Sequence, residues 1–456
     1  MKRIWIFTGF LCMVSASPVL HGQKVWTLEE CIEHAHDQNL QVQRQELLSK
    51  RAENNYLYTR AQVLPNANIG ANYTYNQGRA LNTEDYEWIN QSFFDGSIGF
   101  ESRLNLFSGL STYHYIQQSK YSLLSQIEGV KGLKNDITIM IAGAYLQILF
   151  NEELLKIAEE QLKVTELQVE KNERLVEIGN LSRGDLYEIR AQLAREKSTV
   201  TSARNDLAIS YLTLAQYMDL EIHSLEEFRV SIPELGIEDA NVLRSIDSVY
   251  DDALVVLPRI KAAEYNLLSF EKGLKAEIGT AFPSFDVRYA IGSFYNELSR
   301  NPVSPDDAYP WVDQLTDKRR QLLTLGISIP VFNRLYTQNR ISNAKVGMMD
   351  AQVALDQTKQ TLYKTIQQAY ADARAALDNY DSNLETVKSM EEAFNYTEQK
   401  FNVGMVSSVD YNIAKNNLTR AQSDLLQAKY LYIFNTKILD FYAGRPITLS
   451  GQAQSN

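Results

Sequence analysis

The chain has 456 residues, with 45 Lys+Arg against 56 Asp+Glu and a net charge of −11. A mean hydropathy of −0.30 excludes a polytopic helical membrane protein, and 45% hydrophobic residues exclude a disordered chain. Two Cys exclude a disulfide scaffold, and the acidic balance argues against nucleic acid as a partner. A large soluble helical protein remains, or a membrane β-barrel whose strands hide in short alternating segments.

Residues 1–22 read as a secretory signal. Lys2 and Arg3 precede a short apolar core, Ile4 to Val14, and small residues follow. Its removal takes the net charge from −11 to −13 and leaves Cys31 as the lone Cys. Cys31 is expected as a small packed side chain on the first helix. His34 and His36 stand two residues apart, on different sides of that helix, so no metal site is expected.

A helix is predicted from about Thr27 to Leu64, opened by a Thr27…Glu30 capping box and closed by Pro65. Two strands follow. Ala67, Ile69, Ala71, Tyr73 and Tyr75 alternate with polar residues, and so do Ile98, Phe100, Leu104 and Leu106. A very long helix is then expected from about Ser108 to Ile178. It carries a seven-residue row, Ile148, Leu155, Leu162, Val169 and Val176, which is coiled-coil spacing. A second row, Phe150, Ile157, Val164 and Ile178, suggests packing on two sides. Gly179 suits a left-handed helix end, and Ser182…Asp185 opens a returning helix to about Leu220.

The grammar then repeats. A helix is expected from about Ser248 to Thr280, ended by Pro283. Strands follow at Phe285, Val287, Tyr289, Ile291 and at Leu323, Leu325, Ile327, Ile329. A second long helix runs from about Asn333 to Val403, with Ala373, Tyr380, Val387, Phe394 and Phe401 in the matching row. Gly404 and Ser407…Asp410 form the second turn, before a helix to about Ala443. Three landmarks recur in order. Leu64-Pro65 matches Phe282-Pro283, Leu106-Phe107 matches Val331-Phe332, and Gly179–Asp185 matches Gly404–Asp410. The expected organisation is a signal (1–22), a first repeat (23–221), an equatorial linker (222–247), a second repeat (248–443) and a loose polar tail (444–456). The segments Gly78–Gly96 and Ser293–Arg319 are expected as external loops.

Strands of about 9–11 residues can span a bilayer. Four cannot close a barrel, and open edges are not tolerated in lipid. The chain must then oligomerise, with eight strands in a dimer or twelve in a trimer. A periplasmic coiled-coil scaffold with an accessory β-domain satisfies the periodicity equally.

Leu64-Pro65, Leu106-Phe107-Ser108-Gly109, Pro330-Val331-Phe332-Asn333 and the two glycine turns together resemble the TolC-type outer-membrane efflux proteins, across nearly the whole mature chain. The resemblance implies a mainly α fold with membrane β: a long antiparallel α-helical coiled-coil barrel, and four strands per protomer in a trimeric 12-stranded outer-membrane β-barrel. It implies a homotrimer in contact with outer-membrane lipid, a periplasmic adaptor (membrane fusion protein), and through it an RND- or ABC-type inner-membrane pump. The function implied is a passive efflux conduit, without catalytic residues or cofactors; a type I protein secretion duct is the alternative.

Residue by residue, Gly179, Leu181, Ser182, Gly404, Val406 and Ser407 resemble the family's adaptor-docking tips. Asp410 matches an acid that lines the periplasmic mouth, while the second acid of that ring is replaced by Ile413. Asp185 matches a latch position whose polar partners fall here at Phe401 and Val406, so the latch must differ. Pro65, Phe107, Pro283, Pro330 and Phe332 mark the transitions between helix and strand.

Overall fold

The computed structural model describes residues 25–81, 86–220, 228–233, 243–304 and 307–449. The signal segment, most of the linker and the last residues of the tail lie outside the described residues. In the first half, β1 (Val25–Trp26), α1 (Leu28–Gln38), α2 (Leu40–Ala61), β2 (Asn68–Leu81), β3 (Trp88–Ser108), α3 (Ser111–Glu177) and α4 (Arg183–Tyr217) follow in order. After β4 (Arg229–Val230) come α5 (Ile246–Val256), α6 (Pro258–Gly279), β5 (Ser284–Asn296), α7 (Trp311–Asp317), β6 (Arg320–Ser328), α8 (Tyr336–Asn402) and α9 (Ser408–Tyr442).

The duplication extends to element lengths. α1 and α5 have 11 residues each, α2 and α6 have 22, α3 and α8 have 67, and α4 and α9 have 35. At about 1.5 Å per residue, α3 and α8 each reach ~100 Å.

The first helix predicted in each half is in fact two. Asn39 stands extended between α1 and α2, and its Oδ1 accepts from the amides of Gln41 (2.9 Å) and Val42 (3.3 Å). Its counterpart is Leu257, held extended by Pro258 at the first position of α6. One repeat makes the break with an Asn cap and the other with a proline. Pro65 and Pro283 stand three residues beyond the C-caps Gln62 and Thr280, where they forbid any continuation of the helix.

The main sheet is antiparallel, in the order β2-β3-β5-β6. Ile69 pairs with Phe100, Phe100 with Ile291, Tyr289 with Leu323 and Val287 with Leu325, so one face is largely apolar. One sequence assignment is overturned. Leu106 was expected beside Leu104, but a bulge between Asn105 and Phe107 places Phe107 opposite Phe285, with ring centroids 5.9 Å apart. Leu106 is the extra residue, and an extra residue reverses the alternation that follows it. The segment Gly78–Gly96 is also more strand than loop, because β2 pairs with β3 out to Leu81↔Trp88. The segment Ser293–Arg319 contains α7, whose buried Gln314 accepts from the Asn296 amide at 3.0 Å.

Each long helix begins after two consecutive left-handed residues: Gly109 and Leu110 in the first repeat, Arg334 and Leu335 in the second. A Cβ on Gly109 would lie 2.1 Å from the Gly279 carbonyl oxygen, so only glycine fits there.

The larger core gathers Leu28, Cys31, Ile141, Tyr145, Leu214 and Phe228. β1 pairs in parallel with β4, and Tyr145 Oη donates to the Ser231 carbonyl at 2.5 Å. The linker is thus anchored where it is described, by burial of Phe228 and Val230. The tail, expected to be loose, is packed as far as Leu449: Ile447 and Leu449 both join this core. Burying an aliphatic side chain of this size contributes about 1.5–3 kcal/mol, enough to hold a short segment down. Of the two rows on α3, Ile148 and Val169 are buried. In the second row Phe150 and Ile157 pack on the core, whereas Val164 and Ile178 are exposed within the protomer.

Candidate functional site: the paired hairpin tips

The α3–α4 and α8–α9 hairpins end in the same turn. Gly179 has φ +80°, its amide donates to the Val176 carbonyl, and the Asn180 amide reaches Leu175 O at 2.8 Å. Gly404 has φ +76°, with Gly404 N to Phe401 O at 3.0 Å and Met405 N to Lys400 O at 2.8 Å. Both are Schellman caps, which satisfy the last carbonyls of the outgoing helix. The returning helices start on Ser182 and Ser407. Each serine Oγ accepts from an amide three residues on, at 3.2 Å, and donates to the same aspartate, Asp185 at 2.7 Å and Asp410 at 2.8 Å. Each acid therefore braces its capping serine. Asp410 completes a capping box by also accepting from the Ser407 amide at 3.3 Å.

The two tips stand side by side. Lys171 Nζ donates to Asn402 Oδ1 at 3.0 Å, and Ser408 Oγ donates to Glu188 Oε2 at 2.8 Å. Gly179, Ser182, Gly404 and Ser407 are exposed, while Leu181 and Val406 are half-buried. Around them Ile178, Tyr187, Val403, Met405, Val409 and Ile413 present apolar side chains to the outside. Phe401 packs inward on Tyr411 with ring centroids 4.7 Å apart. Burial, then the neighbouring Glu398, push the Tyr411 phenol up to about 12.

A contact that the sequence reading missed lies further along the hairpins. Lys415 Nζ donates to Glu196 Oε1 at 3.1 Å, Thr165 Oγ1 at 2.5 Å and the Gln161 carbonyl at 3.0 Å. The side chains are only 3% and 11% exposed, so this is a buried ion pair clasping α9 to α4 and α3. Burial lowers the Lys415 pKa, and Glu196 only partly opposes it. The repeat counterpart of Lys415 is Arg190, which instead pairs with Glu173 of its own hairpin at the surface, at 2.7 Å. The available signal was a cation inside the buried stripe Ser408, Tyr411, Lys415, Leu418.

At the opposite end, Arg340 Nη2 donates to Glu277 Oε1 at 2.6 Å and to Tyr115 Oη at 3.1 Å, riveting α8, α6 and α3 near the sheet. Pro330 follows β6, and Phe332 is exposed beside it. Among the described residues no group of three or more His, Cys, Asp or Glu could hold a metal ion.

The sequence profile of the outer membrane efflux protein family matches residues 31–219 and 249–445, one span per repeat. The chain belongs to this family. It is 20% identical to the outer membrane efflux protein BepC of Brucella suis, over 74% of this chain and 69% of the relative. To the outer membrane protein TolC of Escherichia coli it is 20% identical, over 82% of this chain and 73% of the relative. Its fold is that of the Campylobacter jejuni CmeC outer membrane channel, with a TM-score of 0.78 at 14% identity, covering 93% of this chain and 87% of that one. This outer membrane efflux protein is accordingly a channel component of a tripartite efflux system, residing in the outer membrane of a Gram-negative bacterium. The family consists of transport conduits that work with adaptors and inner-membrane pumps. Among the described residues no helix is long and apolar enough to cross a membrane.

Proposed function

We propose that three copies of this efflux protein close a 12-stranded β-barrel continued by a helical tunnel, and that the tunnel opens at the paired tips. The observation that carries the proposal is the four-stranded sheet, which has one largely apolar face and, among the described residues, two unpaired edges, β2 and β6. Lipid does not tolerate such edges, so another copy must cover them. The segment 1–22 is the export signal, and the repeats 23–221 and 248–443 each supply half of the protomer's wall.

Four strands give eight in a dimer and twelve in a trimer, and membership of the TolC-type family favours twelve. The adaptor docks on Gly179, Leu181, Ser182, Gly404, Val406 and Ser407, an exposed turn ringed by apolar side chains. An inner-membrane pump of the RND or ABC class drives solutes through the adaptor. The Brucella relative is named an efflux protein, which supports efflux over protein secretion. Purified protein in detergent should sediment as a trimer and give single-channel conductance in planar bilayers; a monodisperse monomer overturns the proposal.

Asp410 has a second role in this reading. Three copies around the mouth focus negative potential and favour cations. Asp410→Ala should weaken block by divalent cations, at a capping cost of about 1 kcal/mol. Ile413 stands exposed one turn on and adds no charge, so block is weaker than a double ring would give. Unchanged block in Asp410→Ala would leave Asp410 as a helix cap alone.

A further inference from the structure

The duplication is exact enough to locate the joint between protomers. Two offsets relate the halves: 218 residues carry β2 and α2 onto β5 and α6, and 225 carry β3 and α3 onto β6 and α8. The strand pairing obeys both at once. Gly70↔Gly99 maps onto Arg288↔Thr324, and Ala71↔Ile98 maps onto Tyr289↔Leu323, all observed pairs.

Within the chain the halves are joined by β3 against β5 and α3 against α6. The same offsets give this joint an image: β6 against β2, and α8 against α2. The protomer does not make the strand image, because β2 and β6 lie at opposite edges of its sheet. Only a second copy can supply it.

The register follows. Phe100 pairs with Ile291, and the image of that pair is Leu325 opposite Tyr73 of the neighbouring copy. Ile98 pairs with Ser293, and its image is Leu323 opposite Tyr75. On the helices, Tyr121 stacks on Tyr265 at 6.3 Å, and the image is Val346 against Leu47. Ser125 Oγ donates to the Ala262 carbonyl at 2.8 Å, and the image is Asp350 beside Arg44.

Nothing in the mapping refers to side-chain chemistry or exposure, yet both agree with it. Leu325, Tyr73, Val346 and Leu47 are 75%, 67%, 59% and 71% exposed in the protomer. Each meets an apolar residue in the image, and the exposed Asp350 meets the exposed Arg44. A slip of one residue would set Leu325 opposite Asn72 or Thr74 and turn the apolar face inside out.

We propose that neighbouring protomers join along one continuous seam, with β6 on β2 in the Leu325–Tyr73 register and α8 on α2 in the Val346–Leu47 and Asp350–Arg44 register. The seam rests on the closed oligomer proposed above and adds the surfaces that form it.

Disulfide trapping in the full-length protein tests the register. Directly opposed residues of antiparallel strands have Cα atoms about 4.5–5.5 Å apart, within disulfide reach, whereas diagonal neighbours about 7–8 Å apart fall outside it. Cys31 is buried and stays in every variant. Leu325→Cys with Tyr73→Cys should give a covalent ladder ending at three protomers on oxidation, and Val346→Cys with Leu47→Cys should do the same. Leu325→Cys with Ala71→Cys or with Tyr75→Cys, and each single variant, should not. If the unsubstituted protein is trimeric but links form in a slipped pair or in none, the seam is wrong and the trimer stands. If the unsubstituted protein is monomeric, the proposed oligomer fails and the seam fails with it.

Discussion

Replacing Lys415 by Met is expected to destabilise the helical hairpins by about 3–5 kcal/mol, the cost of leaving one partner of a buried ion pair uncompensated. Glu196 Oε1 receives both Lys415 Nζ and Gln192 Nε2, and its Oε2 is buried without a hydrogen-bond partner. Removing the ammonium strands that carboxylate inside the bundle. The pair itself need not be a net stabiliser, since burial wins over the attraction of Glu196 and lowers the Lys415 pKa. Lys415→Met with Glu196→Met should therefore recover most of the loss. Thermal unfolding followed by far-UV circular dichroism, at one protein concentration, measures all three proteins. A double variant no more stable than Lys415→Met would show that the two charges are not coupled. The clasp also has consequences for transport. It fixes α9 against α4, so widening the mouth by moving one hairpin past the other must break it or carry it along.

The second large effect is expected at the tips. Gly404→Trp should abolish most export while the oligomer still assembles, and Gly179→Trp should act in the same way. A Cβ at either glycine meets nothing within 4 Å, so the bulk projects outward and not into the fold. The intrinsic cost is the left-handed backbone, about 1–2 kcal/mol for a residue with a side chain. Loss of a central docking contact costs about 2 kcal/mol or more, which is about thirtyfold in affinity. Asn tolerates the left-handed conformation, so Gly404→Asn separates the two costs: it should retain the turn and disturb docking far less. The checks are export of a fluorescent efflux substrate, adaptor pull-down and the sedimentation of each variant. Export that persists with both tryptophan substitutions would remove the docking assignment.

How far the molecule was legible varied by element. The long helices, the glycine turns and the four strands were readable because each rests on a local rule: heptad spacing, a left-handed glycine followed by a serine cap, and period-two alternation. The break at Asn39 was not readable, since nothing in an Asn on a helical pattern requires the chain to stop there. Pro258 did carry the signal in its own repeat, and comparing the halves would have transferred it. The Phe107 register escaped because the sequence alternates without a break as far as Leu106, and nothing local marks the extra residue that then reverses the faces. Lys415 escaped for a different reason, since its partners lie 219 and 250 residues away in sequence.

Local pattern was enough to give the class of object: a duplicated chain of long helices and spanning strands, with two capped turns. It could do so because hydrophobic period, proline exclusion and capping are properties of a few neighbouring residues. Only the folded chain shows that Phe228 and Leu449 are held in a core, and that a buried charge joins the two hairpins. Those facts depend on which surfaces lose water together, and desolvation is set by residues far apart in the chain. The seam needed both kinds of information, because the repeat offsets come from the sequence and the exposed edges that must be covered appear only in the fold.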